Sequence, residues 1–321
     1  MPETDPTTIS EKHKWLKHRY WKLGHDGVFE EALAELYEVD DDGQMTAEPQ
    51  RDPLTGETRG LMLLGESGSG KSAVLKRALK AVPVLTDVKE VEGGNTLYIE
   101  VPPEATIKSL AEHIVEKTDY PGFDARVGAA ERWEVARHRL KLTGITTLII
   151  DECHHIFRPG AGRDILGAIQ ALKHMLQSDH AVALVICGVP ALREAILKEE
   201  TGETYRRFDE CHMTRTLQGS HGAQLFERCL LNSARKVGIE VDANENFAER
   251  FLFAELGQTG RAVRLAKDTL RRAVTKKRSR LSLADAEWLF IKSNGRKEMT
   301  PFHPGDWVTV QAELNAMGWV R

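Results

Sequence analysis

Short apolar runs alternate with amphipathic stretches between residues 59 and 189. The apolar runs predict buried strands at "LMLLG", "TLYIEV", "TTLIID" and "AVALVICG". The stretches between them have helical spacing, as in "KSAVLKRALKAV", "TIKSLAEHIVEKT", "ERWEVARHRLKL" and "ILGAIQALKHMLQS". Such alternation predicts an α/β fold in which right-handed crossovers build a parallel sheet sandwiched by helices. A ligand is then expected at the carboxyl ends of the strands.

The segments on either side of this region have different patterns. Residues 11–37 have helical periodicity, with Trp15 and Trp21 among basic side chains. Residues 38–60 are acidic and rich in turn-forming residues, which predicts a connector. After about residue 218 only helical patterns occur, so an all-helical C-terminal lid is expected.

Composition narrows the classes of protein that fit the chain. Its 321 residues are enough for two domains, or for one domain with a lid, and 41% hydrophobic residues can fill ordinary cores. A formal net charge of −4 excludes a general polycation but leaves local basic patches open. The 4 cysteines form no C-x-x-C pair, and no apolar run reaches the roughly 18 residues of a membrane span. With no apolar signal core at the N-terminus, a cytoplasmic protein without membrane contact is expected.

One loop has the spacing of a phosphate-binding loop. The stretch "GESGSGKS" has the pattern G-x-x-x-x-G-K-S and lies between an apolar run and an amphipathic helix. Glycines let the backbone wrap around an anion and point N–H groups at phosphate oxygens. Lys71 then reaches the β- and γ-phosphates, and the Ser72 hydroxyl is a ligand of Mg²⁺. The residues expected to bind ATP are Gly65, Glu66, Ser67, Gly68, Ser69, Gly70, Lys71, Ser72 and Ala73.

A carboxylate pair follows a second apolar run. In "TTLIIDE" the run predicts a buried central strand that ends at Asp151 and Glu152, beside the phosphate-binding loop. Asp151 is expected to hold Mg²⁺ together with Ser72, and Glu152 to orient and deprotonate the attacking water. A water-activating glutamate directly after the magnesium aspartate favours a ring-forming ATPase over a small-molecule kinase.

These motifs resemble those of the AAA+ ATPases and, within them, the TniB family of transposition regulators, which is related to TnsC and MuB. The resemblance spans roughly residues 12–290, with "GESGSGKS", "LIIDECHH", "LVICGVPALREAI", "YRRF" and "GQTGRAVRLAK". It implies an ATPase that uses Mg²⁺ and assembles as a homo-oligomeric ring or filament on duplex DNA. It also implies recruitment or activation of a transposase, with a target-selection protein as a further candidate partner. ATP hydrolysis would be the switch.

Four domains are expected from the patterns and the resemblance together. They are an N-terminal helical extension with a linker at 1–50, a P-loop ATPase α/β domain at 51–218, a helical lid at 219–295 and a C-terminal tail at 296–321.

The resemblance also suggests roles for three arginines. Arg207, directly before Phe208, matches the arginine that reaches a neighbouring subunit's nucleotide, and Arg206 is the second candidate. A guanidinium there would neutralise charge that develops on the γ-phosphate. Arg261, in "GQTGR", matches the sensor 2 arginine that contacts the γ-phosphate of its own subunit. An ordinary surface role remains the alternative for each arginine.

Two positions near the strand ends need separate interpretation. Val189 stands where the family usually has Thr or Asn as sensor 1, and Cys187 is a weak donor, so the hydrolysis rate is in question more than nucleotide binding. In "ECHHIF", Cys153, His154 and His155 are adjacent. Because neighbours at a strand end point in opposite directions, a joint metal site is not expected there. Loop packing or a contact near the γ-phosphate remains open for both histidines.

Basic residues supply the candidates for DNA contact. Residues 261–280 contain nine Lys or Arg and one Asp, a density that could neutralise several phosphates but also suits a solvated helix face. The N-terminal "KHKWLKHRYWK" suits a backbone groove, a protein partner or packing onto the ATPase domain. The candidates are Lys276, Lys277 and Arg278 and, by likeness to the related filaments, Lys108 and Arg126.

A second function stays open at this point. An AAA+ protein can also be a nucleotide-gated module that binds a protein partner without DNA, as some regulators of secretion or signalling do. The basic residues after 260 favour the DNA-binding function, and the acidic total charge slightly favours the protein-binding one.

Overall fold

The structure, a computed structural model, describes residues 5–124, 126–157, 162–177, 179–295 and 298–319. The chain forms two compact units. The α/β unit comprises His25–Ser67 and Lys71–Met213, and the helical unit comprises the residues up to Gly24, the segment Gly68–Gly70 and the residues from Thr214 onward.

Helices and strands are numbered in chain order. The strands are β1 (Tyr37–Val39), β2 (Met45–Pro49), β3 (Gly60–Gly65), β4 (Thr96–Glu100), β5 (Thr147–Asp151), β6 (Ala183–Gly188) and β7 (Phe208–Met213). The helices are α1 (Ile9–His18), α2 (Gly24–Ala34), α3 (Lys71–Ala81), α4 (Ile107–Glu116), α5 (Ala129–Leu142), α6 (Gly162–Gln177), α7 (Ala191–Ile196), α8 (His221–Lys236), α9 (Phe247–Ala254), α10 (Thr259–Thr275), α11 (Leu283–Asn294) and α12 (Trp307–Ala316).

A five-stranded sheet with the order β4-β5-β6-β3-β7 forms the centre of the α/β unit. Every neighbouring pair of its strands is parallel, as the sequence predicts. The register pairs Glu100 with Asp151 and Leu64 with Gly188. The carboxyl ends of β3, β4, β5 and β6 therefore meet at one edge of the sheet, where the phosphate-binding loop begins.

Helices cover both faces of this sheet. Leu61 and Leu63 of β3 pack into one hydrophobic cluster with α2 and α3, whereas Met62 and Leu64 pack into another with α4, α5 and α6. Successive strand residues point to opposite faces, so β3 has no position left for a polar side chain. This double burial explains why the strands β3, β4, β5 and β6 are predominantly apolar runs in the sequence.

Two strand features lie outside the sequence pattern. β7 is an edge strand whose only neighbour is β3, and its sequence "FDECHM" leaves His212 exposed. A half-exposed edge strand tolerates polar residues, which hides it from a search for apolar runs. The segment interpreted as a connector holds the antiparallel hairpin of β1 and β2.

The helical unit has a core of its own. Phe226 of α8, Phe251 of α9 and Leu270 of α10 are completely buried in it. The N-terminal α1 belongs to the same core, because Leu16 is buried there and Trp21 packs edge-on against Phe226 at 5.2 Å between ring centroids. The expected all-helical character is confirmed for the part of this unit that the structure describes. None of the helices within the described ranges is long and apolar enough to cross a membrane.

A buried arginine of the helical unit forms hydrogen bonds with the described part of residues 296–321, the range predicted as a tail. Arg250 is completely buried, and its guanidinium donates hydrogen bonds to the backbone oxygen of Glu245 at 2.8 Å and to three backbone oxygens after residue 300. The tryptophan ring that begins α12 lies 4.9 Å from the guanidinium carbon. The three later acceptors are Pro301 at 2.7 Å, His303 at 3.0 Å and Gly305 at 2.7 Å.

Candidate functional site

The phosphate-binding loop connects the end of β3 to the start of α3. Gly68 and Gly70 have φ values of 84° and 103°, a region that side-chain-bearing residues rarely adopt. The loop can thus turn tightly at both positions. Because it leads directly into the N-terminus of α3, the unpaired N–H groups of that helix face the loop, and these groups favour an anion.

Lys71 and Ser69 fit a phosphate ligand in this loop. Lys71 is 5% exposed, and its ammonium donates hydrogen bonds to the backbone oxygens of Gly65 at 2.9 Å and Glu66 at 3.1 Å. An ammonium has three donors, so one N–H remains for a phosphate oxygen. The Ser69 hydroxyl is buried and has no hydrogen-bond partner among the described residues. A buried hydroxyl without a partner is costly, and an anion in the loop would relieve that cost.

Asp151 lies at the carboxyl end of β5 and is completely buried. Burial raises the pKa of its carboxyl, but hydrogen bonds from the hydroxyls of Ser72 and Tyr98, the Cys187 thiol and the Glu152 N–H outweigh burial, and the pKa lies below its ordinary value. The Tyr98 bond is 2.6 Å long and the Glu152 bond 2.9 Å. The structure thus brings the two predicted magnesium ligands, Ser72 and Asp151, together. An ionised carboxylate beside a hydroxyl is an oxygen donor set that suits Mg²⁺.

Cys187 has a role that the sequence does not predict. It is completely buried in β6, and both burial and the neighbouring Asp151 raise the pKa of its thiol. The side chain therefore stays a neutral thiol that donates to the Asp151 carboxylate. The sequence treats Cys187 as a weak replacement for a sensor 1 residue, whereas the structure places it against Asp151, the predicted magnesium ligand.

Glu152 follows Asp151 at a sharp turn of the backbone, with a φ of 54°. Its side chain is 33% exposed, and Oε2 lies 3.3 Å from Nδ1 of His154. The next residues form a 3-10 helix, Cys153–Phe157, which continues no strand. The expectation that the neighbouring histidines point in opposite directions is therefore wrong, because the rings of His154 and His155 have centroids only 4.3 Å apart. Cys153 is completely buried and lies in the hydrophobic core.

The two candidates for the trans-acting arginine differ in their surroundings. Both belong to the 3-10 helix Tyr205–Arg207, just before β7. Arg206 is exposed, whereas Arg207 forms a two-pronged pair with Glu57, Nε lying 3.2 Å from Oε2 and Nη2 lying 3.1 Å from Oε1. Arg207 also donates to the backbone oxygen of Glu203 at 2.6 Å. All three nitrogens of this guanidinium thus have an acceptor within the subunit.

Arg261 is the third residue of α10 and lies against Gly68, in the part of the phosphate-binding loop that belongs to the helical unit. Its N–H donates to the oxygen of Gly68 at 3.0 Å, and the N–H of Gly260 donates to Ser69 at 3.2 Å. A side-chain carbon at Gly68 would stand 2.6 Å from Cδ of Arg261, so any other residue would displace that side chain in addition to straining the backbone. The Arg261 Nε pairs with Glu255 at 2.8 Å. The predicted sensor 2 arginine is therefore close to Gly68 and Ser69.

Comparison with known proteins places the chain in a family. Its sequence matches the family described as bacterial TniB protein over residues 45–217, which is more than half of the chain. The chain belongs to the TniB family. No curated protein sequence matches it.

Solved structures similar to this TniB-family chain show its fold. The ADPNP–ADP complexes of the Aeropyrum pernix ORC2 protein align with a TM-score of 0.58 and 15% identity, over 86% of this chain and 71% of that one. Cdc6p from Pyrobaculum aerophilum aligns with a TM-score of 0.57 and 16% identity, over 85% and 68%. The Aeropyrum pernix ORC1 protein in complex with DNA aligns with a TM-score of 0.54 and 15% identity, over 95% and 87%. The fold is the AAA+ P-loop fold, with a helical C-terminal unit.

The candidate DNA-contacting residues of this TniB protein lie in both units. Lys108, near the start of α4, is partly exposed, and Arg126 is exposed before α5. Lys276, Lys277 and Arg278 are exposed directly after α10. Arg278 also approaches Asp285, with 3.5 Å between Nε and a carboxylate oxygen.

Three residues at the site were missed by motif reasoning. Tyr98 lies on β4, two residues before the register partner of Asp151, so its hydroxyl is predictable only once the strand order is known. Cys187 lies on β6 next to β5, which raises the same difficulty. Glu57, the partner of Arg207, is 150 residues away in the chain and belongs to no motif.

Proposed function

We propose that this TniB-family protein is an ATPase that binds ATP with Mg²⁺ and assembles on duplex DNA as a homo-oligomer to recruit or activate a transposase. The observation that supports it most directly is the arrangement around Asp151. A buried, ionised carboxylate accepts a hydrogen bond from Ser72 at the end of the phosphate-binding loop, and the next residue, Glu152, has a partly exposed carboxylate.

Nucleotide binding rests on the loop and on Asp151. Lys71 neutralises phosphate charge from a buried position, and the loop N–H groups bind the phosphate oxygens. Ser72 and Asp151 would hold Mg²⁺, which supplies positive charge at the phosphates when it is bound. Arg261, held against Gly68 by its own N–H, is the candidate contact to the γ-phosphate from the helical unit.

Hydrolysis requires a base and a further positive charge. Glu152 is partly exposed beside the magnesium ligands, so its carboxylate can orient a water molecule and accept its proton. An arginine from a neighbouring subunit, Arg207 or Arg206, neutralises the charge that develops at the γ-phosphate. Hydrolysis would then depend on assembly, because an isolated subunit lacks the arginine that a neighbouring subunit supplies.

DNA binding is supported by two basic segments that lie side by side in the helical unit. Nε2 of His13 on α1 lies 3.1 Å from the Arg271 oxygen and 3.0 Å from the Thr275 hydroxyl, in the last turns of α10. The exposed residues Lys14 and Lys17 thus belong to a helix that contacts the last turns of α10, although about 258 residues separate the two segments in sequence. A combined basic surface binds phosphates without reading bases. A protein of the same fold, the Aeropyrum pernix ORC1 protein, is known in complex with DNA.

The test is a titration of duplex DNA at two salt concentrations, with and without ATP. Wild type should bind only with ATP, because the basic surface of one subunit is too weak alone and a nucleotide-bridged array multiplies the contacts. If about four to six phosphates are neutralised per subunit, log affinity should fall against log salt with a slope of roughly −4 to −5. Lys71→Ala should abolish ATP-dependent DNA binding, whereas Glu152→Gln should bind both ligands and hydrolyse ATP barely at all.

The matched control changes charge without touching the nucleotide site. Reversing Lys276, Lys277 and Arg278 to Glu should weaken DNA binding for all sequences and flatten the salt slope, while ATP affinity stays unchanged. Absence of ATP-dependent DNA binding even at low salt would overturn the DNA function and favour a nucleotide-gated protein-binding module. Equal hydrolysis by wild type and Glu152→Gln would overturn the role of Glu152.

A further inference from the structure

Three potential metal ligands surround one point next to Asp151. Glu152, His154 and His155 each place one ligand atom within 4.8 Å of the other two. All three side chains are partly exposed, whereas the Nδ1 atom of His154 is itself buried. The backbone N–H of His155 donates a hydrogen bond of 3.0 Å to the backbone oxygen of Glu152, which holds the two residues in one turn.

The spacing suits a small tetrahedral cation. Nitrogen and oxygen ligands at about 2.0–2.1 Å from Zn²⁺ are separated from each other by about 3.3–3.4 Å in a tetrahedron. His154 Nδ1 and Glu152 Oε2 are 3.3 Å apart, which already matches one edge. The ligand atoms of all three residues lie within 4.8 Å of one another, so the third atom has to move by about 1.5 Å or less to complete a tetrahedral edge.

His155 is held in the tautomer that a metal ligand needs. Its Nδ1 lies 2.8 Å from the backbone oxygen of Val101. A carbonyl oxygen only accepts hydrogen bonds, so Nδ1 carries the proton and Nε2 keeps its lone pair. A histidine whose other ring nitrogen donates to a carbonyl is the usual arrangement around protein-bound zinc.

The donor set differs from that of the magnesium ligands. Two imidazoles and one carboxylate suit Zn²⁺ and similar borderline cations, whereas Ser72 and Asp151 offer oxygen only. Three protein ligands leave one position for water. We propose that Glu152, His154 and His155 bind one zinc-class divalent cation, and that this cation occupies the Glu152 carboxylate and inhibits hydrolysis. The inhibitory part rests on the proposed function of Glu152, whereas the binding part does not.

Binding is tested by calorimetric titration of Zn²⁺ into the nucleotide-free, full-length protein. The matched variants are His154→Gln and His138→Gln, since His138 is an exposed histidine on α5 outside the cluster. Wild type and His138→Gln should bind one cation at least tenfold more tightly than His154→Gln does. Their melting temperatures without metal should agree, which shows that all three proteins fold. Equal affinity and stoichiometry in wild type and His154→Gln would overturn the site.

A second measurement tests inhibition separately. At saturating ATP and Mg²⁺, Zn²⁺ should inhibit wild type and His138→Gln at concentrations at least tenfold lower than His154→Gln, each relative to its own zinc-free rate. Tight Zn²⁺ binding without inhibition would overturn the inhibitory part and leave the site intact. Unchanged hydrolysis by Glu152→Gln, combined with loss of its Zn²⁺ binding, would contradict the proposed function but support the metal site.

Discussion

A short hydrogen bond from Tyr98 helps to keep Asp151 ionised at the end of β5. A hydrogen bond to a charged group is worth about 1.5–3 kcal/mol, whereas one between neutral groups is worth about 0.5–1.5 kcal/mol. Tyr37 provides a neutral counterpart, because its buried hydroxyl bonds to the Thr147 hydroxyl of the same strand at 2.7 Å. The two tyrosines thus allow the effect of charge to be measured.

Tyr98→Phe should lower the free energy of unfolding by about 1.5–3 kcal/mol at neutral pH, and Tyr37→Phe by about 0.5–1.5 kcal/mol. The folded-state pKa of Asp151 is lowered, so its stabilisation is present above the unfolded pKa and is lost as pH falls through the folded pKa. Tyr98→Phe should raise the folded-state pKa of Asp151 toward its ordinary value. The stabilisation by Asp151 should then begin to disappear at a higher pH than in the wild type.

Urea denaturation at several pH values measures both effects. The difference between wild type and Tyr98→Phe should shrink in acid, whereas the difference for Tyr37→Phe should stay constant. A Tyr98→Phe difference that does not change with pH would mean that its hydroxyl does not stabilise the charged form of Asp151.

Among individual site residues, the sequence predicts those that belong to local motifs. It misses residues on neighbouring strands that contact the motif residues. Lys71, Ser72 and Asp151 were predictable because local spacing defines the chemistry of the loop and of the strand end. Tyr98 and Cys187 were not, because their contact with Asp151 depends on strand order and register. Glu152 was predictable, but the 3-10 helix after it was not, since five residues carry too little periodicity to separate a turn from a strand end.

The two arginines of the 3-10 helix before β7 differ in how readily they can reach a neighbouring subunit. Arg207 must leave Glu57 before it can reach a neighbouring subunit, whereas Arg206 is already exposed. The pKa of Glu57 is lowered, mainly by its hydrogen bond with Arg207, so this carboxylate remains a charged competitor for the guanidinium at neutral pH.

Arg207→Ala should keep ATP affinity within a few-fold and lose turnover by about a thousandfold, the usual effect of removing a trans-acting arginine. Glu57→Gln should raise turnover at low protein concentration, because the guanidinium no longer leaves an ion pair. Steady-state ATPase rates against protein concentration measure both changes.

Arg206→Ala is the matched control on the same 3-10 helix. A loss of turnover in Arg206→Ala alone would assign the trans role to Arg206 and leave Arg207 as an internal brace. Mixing Arg207→Ala with Lys71→Ala should restore part of the activity, since an intact Arg207 then meets an intact loop. No recovery in mixed oligomers that demonstrably form would count against action in trans.

At the scale of elements, the inner sheet and the helical unit follow from hydrophobic pattern alone. The four apolar runs are the strands β3, β4, β5 and β6, because burial on both faces leaves few positions for polar side chains. β7 and the β1–β2 hairpin escape such a search, since an edge strand and a short hairpin keep exposed polar residues.

At the scale of the whole molecule, the range 296–321 was interpreted as a tail, yet its described part supplies three of the four backbone acceptors of Arg250. Ending the chain after residue 295 would leave that guanidinium buried with one acceptor. A buried charge that loses its partners costs about 3–5 kcal/mol, so the truncated protein should unfold at clearly lower urea concentration.

Arg250→Ala in the full chain and in the truncated chain completes a double-mutant cycle. The two changes remove the same contacts. The free energy of unfolding lost in the double variant should therefore be smaller than the sum of the losses in the two single variants. Fully additive effects would show that the segment stabilises the unit without Arg250. Circular dichroism against urea concentration gives all four values.

The helical unit combines residues that precede the α/β unit in sequence with residues that follow it, which has consequences for folding during synthesis. α1 leaves the ribosome before its partner α10, which follows about 240 residues later, and the acceptors of Arg250 come later still. At about 5–20 residues per second, this interval lasts roughly 12–50 seconds. The α/β unit has time to fold during synthesis. During the same interval Leu16 and Trp21 stay exposed, because the helices that bury them have not yet been made. Chaperones that bind exposed apolar segments would therefore meet α1 before its partner helices do.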